Sequence, residues 1–143
     1  MSVNDQLFYV GQKALINKNG EVLILYDSFI NLYDLPGGKI QEGETDFKKA
    51  FLREIDEETK LKVRVEKPFT TTYFEYPKIK HYNAGKKIFS VVYECFYLSG
   101  NIKLDKREHD GYEWVDLNSY KKTLKIKTNI YNVLEMYFNS LHG

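Results

Sequence analysis

The chain has 143 residues, of which 43% are hydrophobic, and its formal net charge at pH 7 is +1. That length and apolar content suit one domain with its own core, so we expect residues 1–143 to form a single domain. A near-neutral charge argues against an extended nucleic-acid surface or an anchor for acidic membranes. The sequence shows no early segment like a signal peptide and no membrane-spanning apolar run, so we expect a cytoplasmic protein.

The first elements in chain order are a predicted hairpin and a glycine-rich turn. Two β-rich runs, residues 7–16 and 21–26, flank an Asn-Gly pair that favours a tight turn. Residues 27–34 have the polar and aromatic character of a loop. The Leu-Pro-Gly-Gly sequence at 35–38 then predicts a turn at which backbone can approach a ligand closely.

A central helix is predicted to follow, capped by Thr45 or Asp46 and ending near Thr59. At about 100° per residue its apolar side chains fall in one arc, which should be the buried stripe. The stripe consists of Phe47, Ala50, Phe51 and Ile55.

Three carboxylates, Glu54, Glu57 and Glu58, fall inside or beside this stripe. Unpaired carboxylates cost several kcal/mol to desolvate, so acids at the edge of a core need cations to neutralise them. Positions 54 and 58 are one turn apart and position 57 lies beside them, so their oxygens can converge on a hard divalent cation. The alternative, a solvated helix rich in Glu and Lys, is disfavoured by this inward placement.

The rest of the chain predicts more strands and a closing helix. Strand-type runs occur at residues 62–66, 69–76, 87–98 and 112–115. A loop at residues 77–86 separates the second of these runs from the third, and Cys95 is expected to be a buried thiol. Apolar residues recur at helical spacing from Thr128 onward. This order of elements indicates a helix-flanked mixed sheet, an α/β (α+β) fold.

The segment from Leu35 to Leu61 resembles the box of the Nudix (MutT-like) hydrolases, G-x5-E-x7-R-E-U-x-E-E-x-G-U, in which U is aliphatic. The matching residues are Gly38, Glu44, Arg53, Glu54, Ile55, Glu57, Glu58 and Leu61. The resemblance implies a Nudix-type α/β/α sandwich. It also implies an enzyme that uses Mg²⁺ or Mn²⁺ to hydrolyse a nucleoside diphosphate linked to another moiety.

The chain departs from the family pattern at two positions. Eight residues separate Glu44 from Arg53 where the family has seven, and Lys60 replaces the final glycine. The extra residue is most easily absorbed before the helix, in which case Glu44 still reaches Arg53. Lys60 would either adopt the left-handed conformation, at a strain of roughly 1 to 2 kcal/mol, or let the helix exit differently.

The resemblance also implies a role for individual residues. The implied metal ligands are the Gly37 carbonyl oxygen and the carboxylates of Glu54, Glu57, Glu58 and Glu108. The implied catalytic residues are Arg53, Glu54, Glu57 and Glu108. Arg53 would orient the acids and pair with Glu44, while Gly38 and Glu44 would shape the site.

Glu108 is selected because it lies in loop sequence six residues before Trp114. It would act as a metal ligand or as the base for the attacking water, and an exposed loop glutamate is the alternative. Glu94, which interrupts an apolar strand, is the competing candidate. His109 either orients a phosphate or leaving group or lies on the surface.

Substrate recognition leaves fainter signals, at Leu35, Tyr76 and Asn129. Tyr76 could stack on a base, and the Asn129 amide either reads a base edge or caps the last helix. The small domain favours a nucleoside triphosphate, standard or oxidised, cleaved to monophosphate and pyrophosphate, over a dinucleoside polyphosphate or ADP-ribose. A noncatalytic nucleotide sensor is the rival, but it would be expected to have lost box acids. A homodimer is compatible with the resemblance, and neither a membrane nor extended nucleic acid is an expected partner.

Overall fold

The computed structural model describes residues 4–142, and the ends of the predicted domain, residues 1–3 and 143, lie outside the described residues. Within residues 4–142 one mixed sheet is formed by the strands β1 Tyr9–Lys18, β2 Glu21–Asp27, β3 Leu32–Asp34, β4 Gly37–Lys39, β5 Lys62–Glu75, β6 Lys87–Ser99 and β7 Gly111–Val115. The helices are α1 Phe47–Thr59, α2 Tyr120–Thr123 and α3 Asn129–His142. This architecture confirms the predicted α/β sandwich around a mixed sheet.

Strand β1 lies in the middle of the sheet, whose main order is β3-β2-β1-β6-β5. Along one edge β1 pairs in parallel with β6 from Tyr9 to Asn17. Its other edge is divided, because β2 pairs with it at Asn17 and Lys18 whereas β4 pairs with it from Gly11 to Lys13. The division brings the short strand β4, and the turn before it, against the centre of the sheet.

Two apolar cores lie on opposite faces of the sheet, as the two-residue period of a strand requires. Ala14 of β1 packs with Phe51 and Ile55 of α1, whereas the next residue, Leu15, packs in the core that contains α3. Cys95 is buried on the α1 side, as expected, and burial raises the pKa of its thiol to about 12. No helix within residues 4–142 is long and apolar enough to cross a membrane.

Helix α1 begins and ends with identifiable caps. Asp46, one of the two expected caps, accepts a hydrogen bond from the Lys49 backbone N–H at 3.1 Å. At the other end Lys60 is left-handed, with φ 65°, and donates its backbone N–H to the Asp56 carbonyl. The predicted buried stripe was wrong at Phe47, which is 50% exposed. Phe47 is the first residue of α1 and is not among the residues of the core on that face.

Several element boundaries differ from the sequence prediction. Residues 27–34 include β3, and the glycine-rich turn includes β4, because both short segments pair with β2 or β1 rather than remaining loop. The two runs predicted within 62–76 form the single strand β5, whose register shifts around Pro68. Proline has no N–H for the ladder, and β5 tolerates it because the strand lies at the sheet edge. The four-residue helix α2 was not predicted.

Gly37 is the position at which β4 approaches β1 most closely. Its φ is +145°, and a Cβ there would overlap the carbonyl oxygen of Gln12. We expect Gly37→Ala to lower the free energy of unfolding by about 2 to 4 kcal/mol, because backbone strain and overlap add. Gly43→Ala is the matched control, since Gly43 has φ +87° with nothing within 4 Å of an added Cβ. Urea denaturation would contradict this account if both variants lost the same stability.

Candidate active site

A pocket of about 920 Å³, including its open mouth, lies on the α3 side of the sheet beside the divided edge of β1. The ionisable residues that line it are Lys13, Asp27, Asp34, Lys39, Tyr76, Tyr82, Glu58, His81, Glu108, His109 and Tyr33. They come from both halves of the chain, so the fold, and not one motif, assembles the pocket.

Glu58 is the buried acid of the site and comes from the last turn of α1. It is 6% exposed, and its Oε2 accepts a hydrogen bond from the Gly37 N–H at 3.1 Å. Burial raises the pKa of this carboxyl well above its usual value, against the opposing effect of the Lys13 ammonium. The Glu58 side chain therefore points inward, as expected, and the Gly37 backbone holds it in place.

Glu54 lies one turn earlier on α1 and covers Gly38. A Cβ at Gly38 would come within 2.5 Å of Glu54 Oε2, so a larger residue there would require the Glu54 carboxylate to move. Burial raises the pKa of Glu54, although the neighbouring Arg53 opposes the shift. The contact gives a physical reason for the glycine at position 38.

Arg53 binds three carboxylates on the exposed side of α1. Its guanidinium donates to Glu44 Oε2 at 2.8 Å, to Glu54 Oε1 at 3.3 Å and to both oxygens of Glu57 at 3.1 Å. Hydrogen bonds to Glu44 and Glu57 raise the pKa of Arg53 further. The Glu44–Arg53 pair thus forms despite the extra residue in the box. The inward placement expected for Glu57 was wrong, because its side chain is largely exposed and is held by Arg53.

Glu108 and His109 reach the pocket from the loop before β7. Ligand atoms of Glu58, Glu108 and His109 all lie within 4.8 Å of one another, and the Tyr82 hydroxyl donates to Glu108 Oε1 at 2.7 Å. Burial lowers the pKa of His109, which favours the neutral imidazole, while Asp34 opposes that shift. Glu94, the competing candidate, does not line the pocket and has Lys67 Nζ at 3.7 Å from its Oε2.

Lys13 and Asp34 form an ion pair in the pocket that sequence reasoning did not identify. Lys13 Nζ donates to Asp34 Oδ2 at 2.8 Å. Burial alone would lower the pKa of Lys13, but Asp34 and Glu58 more than offset it, so the pKa is raised. Lys13 therefore supplies a positive charge beside Glu58. Its signal in the sequence is a lone lysine within the apolar run of the first strand.

The three expected substrate residues lie in different environments. Tyr76 lines the pocket but is 5% exposed, its hydroxyl donates to Asp27, and its ring is stacked on His81 at 4.7 Å. Asn129 lines the pocket at the start of α3. Leu35 is fully buried in the α3-side core and does not line the pocket. The more open aromatic ring of the pocket is that of Tyr82, which also stacks on His81, with ring centroids 4.4 Å apart.

These features agree with the comparisons with known proteins. The chain matches the NUDIX domain over residues 12–137, and it therefore belongs to the NUDIX family. No curated protein matches the chain. The predicted family and enzyme class, a Nudix hydrolase acting on phosphoanhydride bonds, are confirmed.

Similar solved structures cover nearly the whole chain. The MutT protein from Methanosarcina mazei Go1 is 25% identical, with a TM-score of 0.77, over 98% of this chain and 99% of that one. A NUDIX family hydrolase from Clostridium perfringens is 18% identical, with a TM-score of 0.73, over 96% and 98%. A C. elegans Ap4A hydrolase is 20% identical, with a TM-score of 0.72, over 94% and 98%. At these low identities, the last two similarities are evidence of a shared fold and of nothing more.

The raised pKa of Glu58 predicts how the stability of the metal-free protein depends on pH. The carboxyl of Glu58 has a pKa above the usual 4.5 in the folded protein, so its protonation stabilises the folded state. That stabilisation is fully present below pH 4.5 and is lost as the pH rises through the pKa of the folded protein. Glu58→Gln remains neutral, so we expect its stability relative to the unmodified protein to improve as pH increases. Urea unfolding in chelator between about pH 5 and 8 measures the difference.

The matched control for this experiment is Glu42→Gln, which changes an exposed residue of the turn before α1. Its unfolding curve should follow that of the unmodified protein at every pH. If the Glu58→Gln curve also ran parallel to both, a raised pKa of the Glu58 carboxyl in the folded protein would be excluded.

Proposed function

We propose that this protein is a metal-dependent pyrophosphohydrolase that cleaves a standard or oxidised nucleoside triphosphate to the monophosphate and pyrophosphate. The observation that carries the proposal is the set of acids on α1, two of them directed inward, beside an open pocket lined by charged and aromatic side chains. The NUDIX family match supports the reaction class. The substrate and the bond attacked are our inference.

The residues of the site fit a divalent cation such as Mg²⁺ or Mn²⁺. Glu58 and Glu108 present carboxylate oxygens to the same space, and Glu54 lies at its edge above Gly38. Carboxylates are the ligands that Mg²⁺ and Mn²⁺ prefer. When bound, such an ion would neutralise phosphate charge and lower the pKa of an attacking water.

The side chains of the chain have separable tasks in this proposal. Glu54, Glu57 and Glu58 would hold the cation, and Arg53 fixes Glu57 through its paired hydrogen bonds. Glu54 and Glu108 are the two candidates for accepting the proton of the attacking water. Glu54 is suited to that task because burial raises the pKa of its carboxyl.

The mouth of the pocket suits a nucleotide with several phosphates. Lys39 Nζ is held by Asn83 Oδ1 at 2.8 Å, and both Lys39 and Lys86 lie over the Tyr82 ring. Ammonium groups beside an aromatic ring can meet phosphates and a base together. Asn129 lines the α3 end of the pocket, where its amide would contact an edge of the base.

We favour a nucleoside triphosphate as the substrate over the substrates that are named for other proteins of similar fold. The structure with 25% identity and 99% coverage is a MutT protein. The C. elegans Ap4A hydrolase and an ADP-ribose pyrophosphatase from Streptococcus suis, each 20% identical, support the wider class of dinucleoside polyphosphates and ADP-ribose as alternatives. A noncatalytic sensor is disfavoured because every acid of the α1 set is retained.

The test is product release from a panel of nucleotides with Mg²⁺, Mn²⁺ or chelator. The panel holds standard and oxidised triphosphates, ADP-ribose and dinucleoside polyphosphates. We expect metal-dependent release of pyrophosphate from one triphosphate, and a loss of about 100-fold or more in kcat in Glu57→Gln, because a ligand of the cation is removed.

Glu135→Gln, an exposed glutamate on α3, is the matched control and should keep full activity. Equal activity of Glu57→Gln and the control would exclude position 57 from the site. Preference for ADP-ribose or a dinucleoside polyphosphate would replace the substrate and leave the reaction class intact. If the folded protein released no product from any nucleotide of the panel, the proposed function would be overturned.

A further inference from the structure

His109 has no task in the reaction proposed above, yet its imidazole lines the pocket beside two acids. Ligand atoms of Glu58, Glu108 and His109 lie within 4.8 Å of one another. Two ligand atoms bound to one ion at about 2.1 Å are at most about 4.2 Å apart. Movements of less than about 1 Å would therefore bring all three side chains onto one cation.

We propose that Glu58, Glu108 and His109 form a cation site with two oxygen donors and one nitrogen donor, which binds first-row transition ions such as Mn²⁺ and Co²⁺ in preference to Mg²⁺. This inference rests on the proposed function only in assigning the cation to the same pocket. Mg²⁺ favours an all-oxygen shell that keeps several waters, whereas imidazole nitrogen favours transition ions. His109 thereby sets the metal preference of the site.

Each member of the set is held in place and keeps one atom free to bind a cation. The Gly37 N–H binds Oε2 of Glu58, and the Tyr82 hydroxyl binds Oε1 of Glu108. Each of these contacts occupies one of the two carboxylate oxygens. The His109 backbone is anchored to the Asp105 carbonyl at 3.0 Å. Within residues 4–142 no side-chain hydrogen bond ties up the His109 ring.

The charge around the set also suits a cation. The carboxylates of Asp34, Glu58 and Glu108 act together on the ammonium of Lys13, and Glu108 also acts on the ammonium of Lys39. When these groups are ionised, the carboxylates outnumber the ammonium groups, so an excess of negative charge is left beside the set. A bound cation would neutralise that excess.

The experiment is pulsed electron paramagnetic resonance of Mn²⁺ bound to the full chain, with any affinity tag removed. Nucleotide and nitrogen-containing buffers are left out, so that protein is the source of any nitrogen coupled to the ion. The chain has three histidines, His81, His109 and His142. We expect nitrogen modulation in the unmodified protein and its loss in His109→Gln.

His81→Gln and His142→Gln are the matched controls. His81 lines the same pocket but lies outside the set, and His142 is exposed at the end of α3. Both variants should keep the nitrogen modulation. Circular dichroism and the unfolding midpoint of each variant show whether the fold is retained.

A titration of free Mn²⁺ and a competition with Mg²⁺ supply a second readout. We expect His109→Gln to weaken Mn²⁺ binding at least about tenfold while Mg²⁺ binding changes less. The proposal is overturned if folded protein binds no Mn²⁺, if bound Mn²⁺ shows no nitrogen, or if His109→Gln keeps the nitrogen signal.

Failure of this inference is distinguishable from failure of the proposed function. Metal-dependent hydrolysis without nitrogen modulation would overturn the His109 site alone. Nitrogen modulation that depends on His109, in a protein that hydrolyses no nucleotide of the panel, would overturn the proposed reaction and leave the cation site standing.

Discussion

The buried carboxylate of Glu58 is the constraint on which the site depends. An acid at this depth requires compensating partners, and the chain provides the Gly37 N–H and the Lys13 ammonium. The N–H is available because β4 lies close against β1, which in turn requires glycine at position 37. The divided edge of β1, the glycine-rich turn and the last turn of α1 are therefore parts of one electrostatic arrangement.

The acids on and around α1 fall into two groups with different surroundings. Glu58 faces the pocket with Glu108 and His109, whereas Glu44 and Glu57 share the Arg53 guanidinium on the exposed side. Glu54 lies between the groups, since it touches Arg53 and also covers Gly38. Five carboxylates can lie near one another in this arrangement, because each has a cation or a hydrogen-bond donor close by or leaves room for a metal ion.

Much of this arrangement could be predicted from the sequence because it is local. The spacing of acids on α1 gave the inward direction of Glu58, and the box gave the Glu44–Arg53 pair. Lys13, Asp34 and the Tyr82–Glu108 hydrogen bond were not predictable, because strand pairing and a loop bring distant segments together. Leu35 was misassigned because an apolar side chain after a strand faces the core or a ligand equally well, and here it faces the core.

The most direct test of the central claim is anomalous diffraction at the manganese edge from crystals containing Mn²⁺ and a non-hydrolysable triphosphate. We expect an anomalous peak at about 2.1 Å from carboxylate oxygens of the α1 acids, with the phosphates of the nucleotide beside it. This expectation would be contradicted if the nucleotide were bound in the pocket without manganese at these acids, or if manganese were bound elsewhere on the protein.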